Sequence, residues 1–549
     1  MTEIFNFFQK IINAKLVPVA FYFTVFLLGL CGLISFFDMA LAVGILMLFC
    51  LTAAMFFMLI RAGIKDQNIY MVFLIGLAIH LGFVLFIYYV GFKPFGGGAD
   101  FDLYDKIATE IAHRFSHGNF SLNGLYTEHF YPVLIGVLYM VTMPSRLIGQ
   151  FFTAWLAALS ITLIYVIVLE IGGTKKTAFL ASILVSIYPS YLFFGSVLLK
   201  DTLVIPLVLA GIWLTLKMAR HFSWITFVLF FMVLTPLINL RFYIGYALMA
   251  GLICSWPLLA AMNVKKKMIY WFVIIFLLGF SSFVLGDGYY GFNNFKKFLN
   301  PKEITYFREV VYANPPAPAI PAKPEVVIVQ KNPAQNTPPE KNTQKPSTVK
   351  PSLPPAKVET PAPVSTPAPV KTPVIAPVQT PAPAPTPDSN NGNGSTFVLE
   401  TGFSKGPAVF IKNFSLSFIY SLLGPFPWQF TRQRQVVALA ETIPWYMLIL
   451  FSLYGASRFI KRNGFLAFLE YYKFSLPLMV FGVAATGALA LFINNYGIIA
   501  RIRIPMFMCF ICILCLSFNE KENHEKISYY WRRGIHWLAS LAKTVAPGK

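Results

Sequence analysis

Three aspartates occupy positions where a carboxylate can act on a hydroxyl group. Asp100 and Asp102 follow three glycines in the segment GGGADFDLYDK, and Asp201 follows an apolar run in SVLLKDTLVIPL. A carboxylate within hydrogen-bond reach of a hydroxyl can serve as a general base. Aspartate at a helix start also caps the helix and is favoured there by the helix dipole, so a structural role stays open for each. We take these three residues as the candidate catalytic groups.

Three arginines stand at the ends of apolar runs. Arg241 lies in INLRFYIGY, and Arg501 and Arg503 lie in NNYGIIARIRIP. Arginine at a membrane boundary often extends to lipid phosphates. Because arginine also binds phosphate with two parallel hydrogen bonds, we interpret these residues as a pocket for a phosphate or diphosphate group of a donor substrate.

Three further residues are candidates for the lining of the same cavity. Tyr104 follows Asp100 by four residues, and Glu128 and His129 stand together in TEHFYP. His80 lies in the middle of an apolar run, which favours a packing role over a ligand role.

The sequence offers no strong metal-binding pattern. Cys509, Cys512 and Cys515 recur at three-residue spacing inside an apolar run, which favours lipid-facing or packed thiols over zinc ligands. We predict no bound metal and no required cofactor. The one alternative left open is a divalent cation held by oxygen atoms of the three aspartates.

The elements that position these residues are hydrophobic. Of 549 residues, 57% are hydrophobic and only 12% are charged, and the mean hydropathy is +0.64, whereas soluble domains carry about 25% charge. This composition excludes a soluble fold and predicts an all-α integral membrane protein. A span needs about 20 apolar residues. We predict twelve: 16–37, 39–60, 70–92, 147–170, 178–199, 202–218, 224–240, 242–262, 268–285, 442–460, 474–494 and 504–518.

The basic residues predict the orientation of these spans. Lysine and arginine are concentrated in the segments that alternate with the short, poorly charged turns, so both termini are expected in the cytoplasm of a bacterial-type cell. The same distribution explains the net charge of +21 without nucleic acid as a partner. The run 131–143 is too short to cross, and we predict a half-buried or re-entrant helix on the outer side.

The outer segments should contain the functional site. We predict an amphipathic helix in the first loop, with Tyr104 on its apolar face and Asp105 facing elsewhere. A disordered, proline-rich tether is predicted for 315–387, and a helix at the outer interface after it. The predicted regions are 1–92 (three spans), 93–146 (first outer loop), 147–285 (six-helix core), 286–396 (external loop), 397–441 (interfacial segment), 442–518 (three spans) and 519–549 (cytoplasmic tail).

Several short motifs resemble the polytopic C-type glycosyltransferases. An acidic motif of the form Asp-x-x-x-Tyr is matched by Asp100 and Tyr104, and a half-buried helix near a proline by Tyr131 and Pro132. A span with proline, about a dozen residues and then a basic-acidic pair is matched by Pro189, Lys200 and Asp201. A Gly-x-x-x-Arg-x-Arg element is matched by Gly497, Arg501 and Arg503. The resemblance covers roughly residues 96–270 and, loosely, 425–505.

The branch that the chain resembles comprises glycosyltransferase family 39 and the bacterial aminoarabinose-transferase-like enzymes, which are related to protein O-mannosyltransferases. The resemblance implies an inverting transferase that moves a sugar from a polyprenyl-phosphate carrier to an envelope glycan, lipid or protein on the outer face. It assigns the role of base to Asp100, although Asp102 is also available in this chain.

Two other classes remain as alternatives. A polysaccharide polymerase or ligase that acts on a lipid diphosphate would depend on the arginines and His129 more than on Asp100. A lipid or sugar transporter would be expected to have repeated halves and ionisable residues at mid-depth. The sequence has no evident internal repeat, and its charges within spans concentrate at the ends.

Overall fold

The computed structural model describes residues 16–64, 66–92, 99–125, 129–280, 300, 302, 304, 406–426, 439–493 and 496–519. Within these residues the chain is all-helical and has no β-strand, as the composition predicts. By its contacts the chain divides into two units, Met1–Pro315 with Ser395–Lys549, and Pro316–Gly394. The described helices belong to the first unit. The predicted tether and nearly all of the predicted tail lie outside the described residues.

Eighteen α-helices make up the described part of the chain. In order they are α1 (Leu16–Ser35), α2 (Met39–Arg61), α3 (Gln67–Val90), α4 (Ala99–Ser116), α5 (Tyr131–Val141), α6 (Arg146–Glu170), α7 (Lys175–Ser186), α8 (Pro189–Phe194), α9 (Asp201–Arg220), α10 (Trp224–Leu240), α11 (Phe242–Leu259), α12 (Val264–Phe280), α13 (Pro407–Leu423), α14 (Leu439–Asn463), α15 (Phe465–Tyr472), α16 (Leu476–Phe492), α17 (Tyr496–Ile502) and α18 (Ile504–Cys515).

Seven of the described helical segments are long and apolar enough to cross a membrane. They are α2, α3, α6, α9, α11, α14 and the continuous segment Phe465–Phe492, which joins α15 to α16 through a short 3-10 turn. All seven overlap predicted spans, so the chain has the architecture of an α-helical membrane protein. The predicted number of twelve spans is not confirmed.

One predicted span is not a single helix. The run 178–199 is divided into α7 and α8, which are separated at Ile187 and Tyr188. Pro189 causes the break, because proline disfavours the helical conformation of the residue before it, and Tyr188 is accordingly extended. Four further predicted spans have no counterpart among the seven long apolar helices. They overlap α1, α10, α12 and α18.

The inner helices of the bundle are α6, α9 and α11. In their most apolar stretches 67%, 72% and 67% of residues are buried, compared with 17% in α2 and 11% in α14. Close approach depends on small residues, as is usual between membrane helices. A Cβ atom at Gly211 of α9 would lie 2.4 Å from Cδ2 of Leu248 on α11. The helix that begins at Asp201 is therefore held firmly in the centre of the bundle.

Helices α4 and α5 form a short pair beside the spans. The apolar face of α4 is buried as predicted, with Tyr104 6% and Ile111 0% exposed. A Cβ at Gly136 of α5 would lie 2.6 Å from Cγ2 of Ile111, so the absence of a side chain allows the two helices to touch. The 11 residues of α5 are too few to cross a membrane, which agrees with the predicted half-buried helix.

Asp105 corrects one detail of the predicted amphipathic helix. Its carboxylate does not face away from the packed side of α4. It accepts a hydrogen bond of 2.7 Å from the hydroxyl of Tyr139 on α5. This contact with α5 leaves Asp105 partly buried, and burial raises the pKa of its carboxyl group.

Candidate functional site

Asp100 and Asp201 both lie in the first turn of a helix. Asp100 is in the first turn of α4, and Asp201 is the first residue of α9. The positive end of the helix dipole favours a carboxylate at such a position. Both carboxylates also meet arginines from distant parts of the chain, so they do more than stabilise their own helices.

Arg241 binds the carboxylate of Asp201 through two hydrogen bonds. It lies at the junction of α10 and α11, where the extended backbone of Arg241 separates the two helices. Its Nε donates to Oδ1 of Asp201 at 3.0 Å, and its Nη2 donates to Oδ2 at 3.2 Å. Both side chains are 6% exposed. This bidentate geometry is among the strongest that a charged pair adopts, and it occupies both oxygens of Asp201.

Arg501 joins the two aspartates. Its Nη1 donates to Oδ2 of Asp100 at 2.8 Å. Its Nε lies 2.9 Å from Oδ2 of Asp201, close enough for an ion pair although the N–H is not directed at that oxygen. The side chain of Asp100 is 48% exposed, whereas that of Arg501 is 17% exposed. Asp100 is therefore the carboxylate of this group that a molecule from outside can reach.

Lys200 completes the group, and sequence reasoning missed it. It precedes Asp201 and is 8% exposed, yet its ammonium group makes no hydrogen bond or ion pair with any residue the structure describes. Burial, followed by the positive charge of Arg241, lowers the pKa of Lys200 to about 7. We call Asp100, Lys200, Asp201, Arg241 and Arg501 the charge cluster. It holds two carboxylates and three basic groups.

The composition of the charge cluster favours an anion as its ligand. The two carboxylates are already paired with arginines, and the remaining basic group is Lys200. An added anion close to Lys200 would stabilise its protonated form and balance the excess of positive charge. The sequence feature that could have identified Lys200 is the pair Lys200–Asp201 at the start of a predicted span. Burial of a charged lysine at such a position is energetically unfavourable unless the lysine has a partner.

Asp102 lies outside the charge cluster. Its Oδ1 accepts a hydrogen bond of 2.9 Å from Nη1 of Arg146, the first residue of α6. The side chains of Asp102 and Arg146 are 44% and 25% exposed. The two aspartates of the acidic motif thus have different partners, because two residues along a helix correspond to a rotation of about 200°.

Arg503 also lies outside the charge cluster, in contrast to the predicted donor pocket that included it. Its Nη2 lies 2.6 Å from Oε1 of Glu441 on α14, and the two side chains are 4% and 7% exposed. Its Nη1 donates to the carbonyl oxygen of Gly424. The hydroxyls of Tyr188 and Ser190 donate to the carboxylate of Glu441. We call Arg503 and Glu441 with these hydroxyls the closed ion pair.

Tyr104 lies close to the charge cluster, as predicted for the cavity. Its ring meets the ring of Tyr131 edge to face, with centroids 5.5 Å apart. Burial and the carboxylates of Asp100 and Asp201 raise the pKa of its hydroxyl. The phenol is therefore neutral and can donate a hydrogen bond to a ligand.

His129 is attached to the end of α10. Its Nδ1 donates to the carbonyl oxygen of Asn239 at 3.2 Å, and the backbone N–H of Phe130 donates to the side chain of Asn239 at 3.3 Å. Asn239 is two residues before Arg241, so these bonds fix the loop beside the charge cluster. Glu128, the third residue predicted for the cavity, lies outside the described residues.

The described residues contain no group of three or more His, Cys, Asp or Glu side chains that could hold a metal ion. Asp100 and Asp201 face arginines, which is a donor set that suits an anion better than a divalent cation. Cys509, Cys512 and Cys515 are free and buried, so of the two predicted arrangements, lipid-facing and packed, the structure shows packed thiols.

Comparison of the chain with protein-family models, with curated proteins and with solved structures finds no match. The function must therefore be argued from the geometry of the charge cluster and from the chemistry of its residues.

Proposed function

We propose that this chain is an integral membrane glycosyltransferase that moves a sugar from a polyprenyl-phosphate carrier to an envelope glycan, lipid or protein. The observation that carries the proposal is Lys200, a buried lysine that makes no hydrogen bond or ion pair with any described residue and that precedes Asp201 at the end of a candidate span. A phosphate at Lys200 would neutralise this charge. The lipid tail of such a donor would extend from the charge cluster into the membrane.

Asp100 is the proposed general base. It is the exposed carboxylate of the charge cluster, and its bond to Arg501 fixes its orientation. The acceptor hydroxyl gives its proton to Asp100 while its oxygen forms a bond to the anomeric carbon. The bond from that carbon to the phosphate oxygen breaks on the opposite side, its electron pair stays on the phosphate, and the configuration inverts.

The other members of the charge cluster act on the leaving group. The phosphate gains negative charge as the glycosidic bond breaks, and Lys200 and Arg501 are the groups proposed to stabilise it. Asp201 is proposed to position Arg241 and Arg501, since both its oxygens are occupied. The reaction needs no strong general acid, because a phosphate oxygen leaves readily as an anion. No cofactor enters the proposal.

A lipid-diphosphate polymerase or ligase is the second candidate, and the geometry favours it less. A diphosphate brings more charge and would engage more arginines than the donor in the first proposal. Arg503 is already paired with Glu441, and His129 with Asn239. A transporter is supported still less, because the charged residues of α9 lie at its two ends and not at mid-depth.

The orientation in the membrane forms part of the proposal. The last turn of α9 contains the basic residues Lys217 and Arg220, which favours a cytoplasmic position for that end. The charge cluster would then face the outside of a bacterial-type plasma membrane, where envelope acceptors are found, and both termini would lie in the cytoplasm.

The experiment is a donor screen with the full-length protein in lipid nanodiscs. Release of polyprenyl phosphate is measured for a panel of polyprenyl-phosphate sugars with and without candidate acceptors. Wild type is compared with Asp100→Asn and with the matched control Asp102→Asn, which changes the same chemical group on the same helix. Release by wild type and Asp102→Asn, but not by Asp100→Asn, supports the proposal.

Two results would contradict it. One is the absence of turnover with every monophosphate donor while a diphosphate-linked donor reacts. The other is equal turnover by all three proteins, since a base that touches the acceptor cannot be dispensable.

A further inference from the structure

A cavity with polar lining residues lies at the other end of α9 from the charge cluster. Its volume is about 270 Å³, and its lining includes Arg220, His221, Ala261 and Tyr270. The N–H of Ala261 donates to the carbonyl oxygen of Ala219 at 3.1 Å, which joins two walls of the cavity. Because α9 has 20 residues, it places this cavity about 30 Å from Asp201.

The cavity has an excess of positive charge. Glu170 pairs with Lys217 at 2.7 Å and with Arg220 at 3.4 Å, so one carboxylate serves two cations. Arg220 Nη1 makes no hydrogen bond to any described residue. The imidazole of His221 is exposed and likewise has no hydrogen-bond partner in the described part of the chain. Among the described residues that line the cavity, none has an acidic side chain.

Two lysines lie about one helical turn before Tyr270, which lines the cavity. Lys266 and Lys267 precede Tyr270 on α12 by four and three residues, which places all three on one helix face. The ammonium group of Lys267 donates to the carbonyl oxygen of Pro257 at 3.1 Å, which ties α12 to the end of α11. These lysines add positive charge within about one helical turn of the cavity-lining Tyr270.

The surroundings of the cavity are those of a membrane interface. Phe222 and Tyr270 contact each other with ring centroids 4.8 Å apart, and Trp224 lies 6.0 Å from Tyr270. Trp and Tyr concentrate at the level of lipid headgroups. Next to this aromatic group, Ile225 and Val264 are each 74% exposed, and both lie at the ends of apolar helices where lipid would cover them.

We infer that this cavity binds the phosphate of an anionic lipid headgroup. Basic pockets between membrane helices bind such headgroups. A volume of about 270 Å³ lies just below the range of small-molecule pockets, about 300–1,000 Å³, and suits a headgroup better than a whole lipid. The acyl chains would follow the exposed apolar surface of α10 and α12. Free phosphate offers the same chemistry from the aqueous side, and the experiment separates the two sources.

The test measures lipid binding to the full-length protein by native mass spectrometry from detergent. Phosphatidylglycerol, phosphatidylcholine and inorganic phosphate are titrated separately at constant ionic strength. Ala261→Phe fills the cavity without removing the backbone bond to Ala219. Arg220→Gln removes a cation while Lys217 still pairs with Glu170. The control is Lys461→Gln, which removes an exposed lysine on α14 that makes no contact with the cavity.

The expected result is that wild type and Lys461→Gln bind phosphatidylglycerol at least tenfold more tightly than phosphatidylcholine. Arg220→Gln should weaken this binding about fivefold, the effect of one basic residue at a membrane surface. Ala261→Phe should abolish the preference. Binding of inorganic phosphate that Ala261→Phe removes, without a lipid preference, would assign the site to a free anion. A lipid preference that Ala261→Phe leaves intact, or no binding at all, would overturn the inference.

Discussion

The charge cluster and the closed ion pair differ although two of their arginines are only two residues apart. Arg501 contacts Asp100, whose side chain is 48% exposed, and the cluster also contains Lys200, which has no partner in the described residues. Arg503 contacts Glu441, which is 7% exposed and accepts two further hydrogen bonds from hydroxyl groups. One group can receive a ligand, and the other joins α8, α14 and the start of α18.

This difference separates two uses of a buried charge. A buried pair whose partners satisfy each other fixes the arrangement of helices, and removal of one partner leaves an uncompensated charge. A group with surplus charge and an exposed carboxylate retains capacity for a substrate. Conservative substitutions should therefore affect catalysis in the charge cluster and stability in the closed ion pair.

The largest expected effect is on the rate of the Asp100→Asn variant. Loss of the general base should lower kcat about 10²- to 10⁴-fold, because asparagine keeps the hydrogen bond to Arg501 but accepts no proton. Asp102→Asn should stay within about threefold of wild type, since that residue pairs with Arg146. Steady-state release of polyprenyl phosphate measures both values. Equal losses of kcat in the two variants would contradict the assignment of the general base to Asp100 and not to Asp102.

The second largest effect is on the stability of Glu441→Gln. This change leaves Arg503 buried without a counter-charge and should lower the free energy of unfolding by about 3–5 kcal/mol. Unfolding by sodium dodecyl sulfate in mixed micelles, followed by tryptophan fluorescence, measures the change. Arg501→Gln should reduce stability less, because Asp201 would still pair with Arg241 and the half-exposed carboxylate of Asp100 would still be hydrated. A larger loss of stability in Arg501→Gln than in Glu441→Gln would contradict the assignment of a structural role to Arg503 and a functional role to Arg501.

A smaller effect concerns the pH dependence of donor binding and depends on the proposed function. With a pKa of about 7, Lys200 is protonated below neutral pH and loses its proton above it. KM for the phosphodiester donor should therefore be lowest below pH 7 and rise by up to about tenfold per unit above it. Lys200→Arg should flatten this profile, since arginine stays protonated. An unchanged rise in Lys200→Arg would assign the titration to another group.

The smallest expected effect belongs to the half-exposed pair of Asp102 and Arg146. Arg146→Gln should change the free energy of unfolding by less than about 1 kcal/mol, because solvent screens a pair with this exposure. The same unfolding assay measures it beside Glu441→Gln. A loss as large as that of Glu441→Gln would show that exposure does not distinguish the two pairs.

Hydrophobic runs predicted the fold class and seven of the spanning helices, because length and hydropathy decide which segments can cross a membrane. Pro189 could also have predicted the break between α7 and α8. The break was missed because the spans were identified by hydropathy, and a single proline hardly changes the hydropathy of an apolar run. The break is needed for the closed ion pair, since it directs Tyr188 and Ser190 towards Glu441.

The candidate site was predicted in part. Asp100, Asp201, Arg241 and Arg501 come together, as expected for residues that the predicted topology places on the same side of the membrane. Their pairing could not be read from the sequence, because Arg501 and Asp100 are 401 residues apart.

Arg503 was misplaced for a local reason. The chain is helical up to Ile502, so residues 501 and 503 project about 200° apart and cannot share one pocket. Lys200 was overlooked because a lysine next to an aspartate suggests a salt bridge, whereas Asp201 is occupied by arginines.

The most direct test of the central claim is an electron cryo-microscopy map of the protein in nanodiscs with a polyprenyl-phosphate sugar and no acceptor. The account predicts phosphate density within hydrogen-bond distance, about 2.7–2.9 Å, of Nζ of Lys200, with the sugar beside Asp100. Phosphate density only in the cavity at Arg220, or an empty charge cluster at saturating donor, would contradict it.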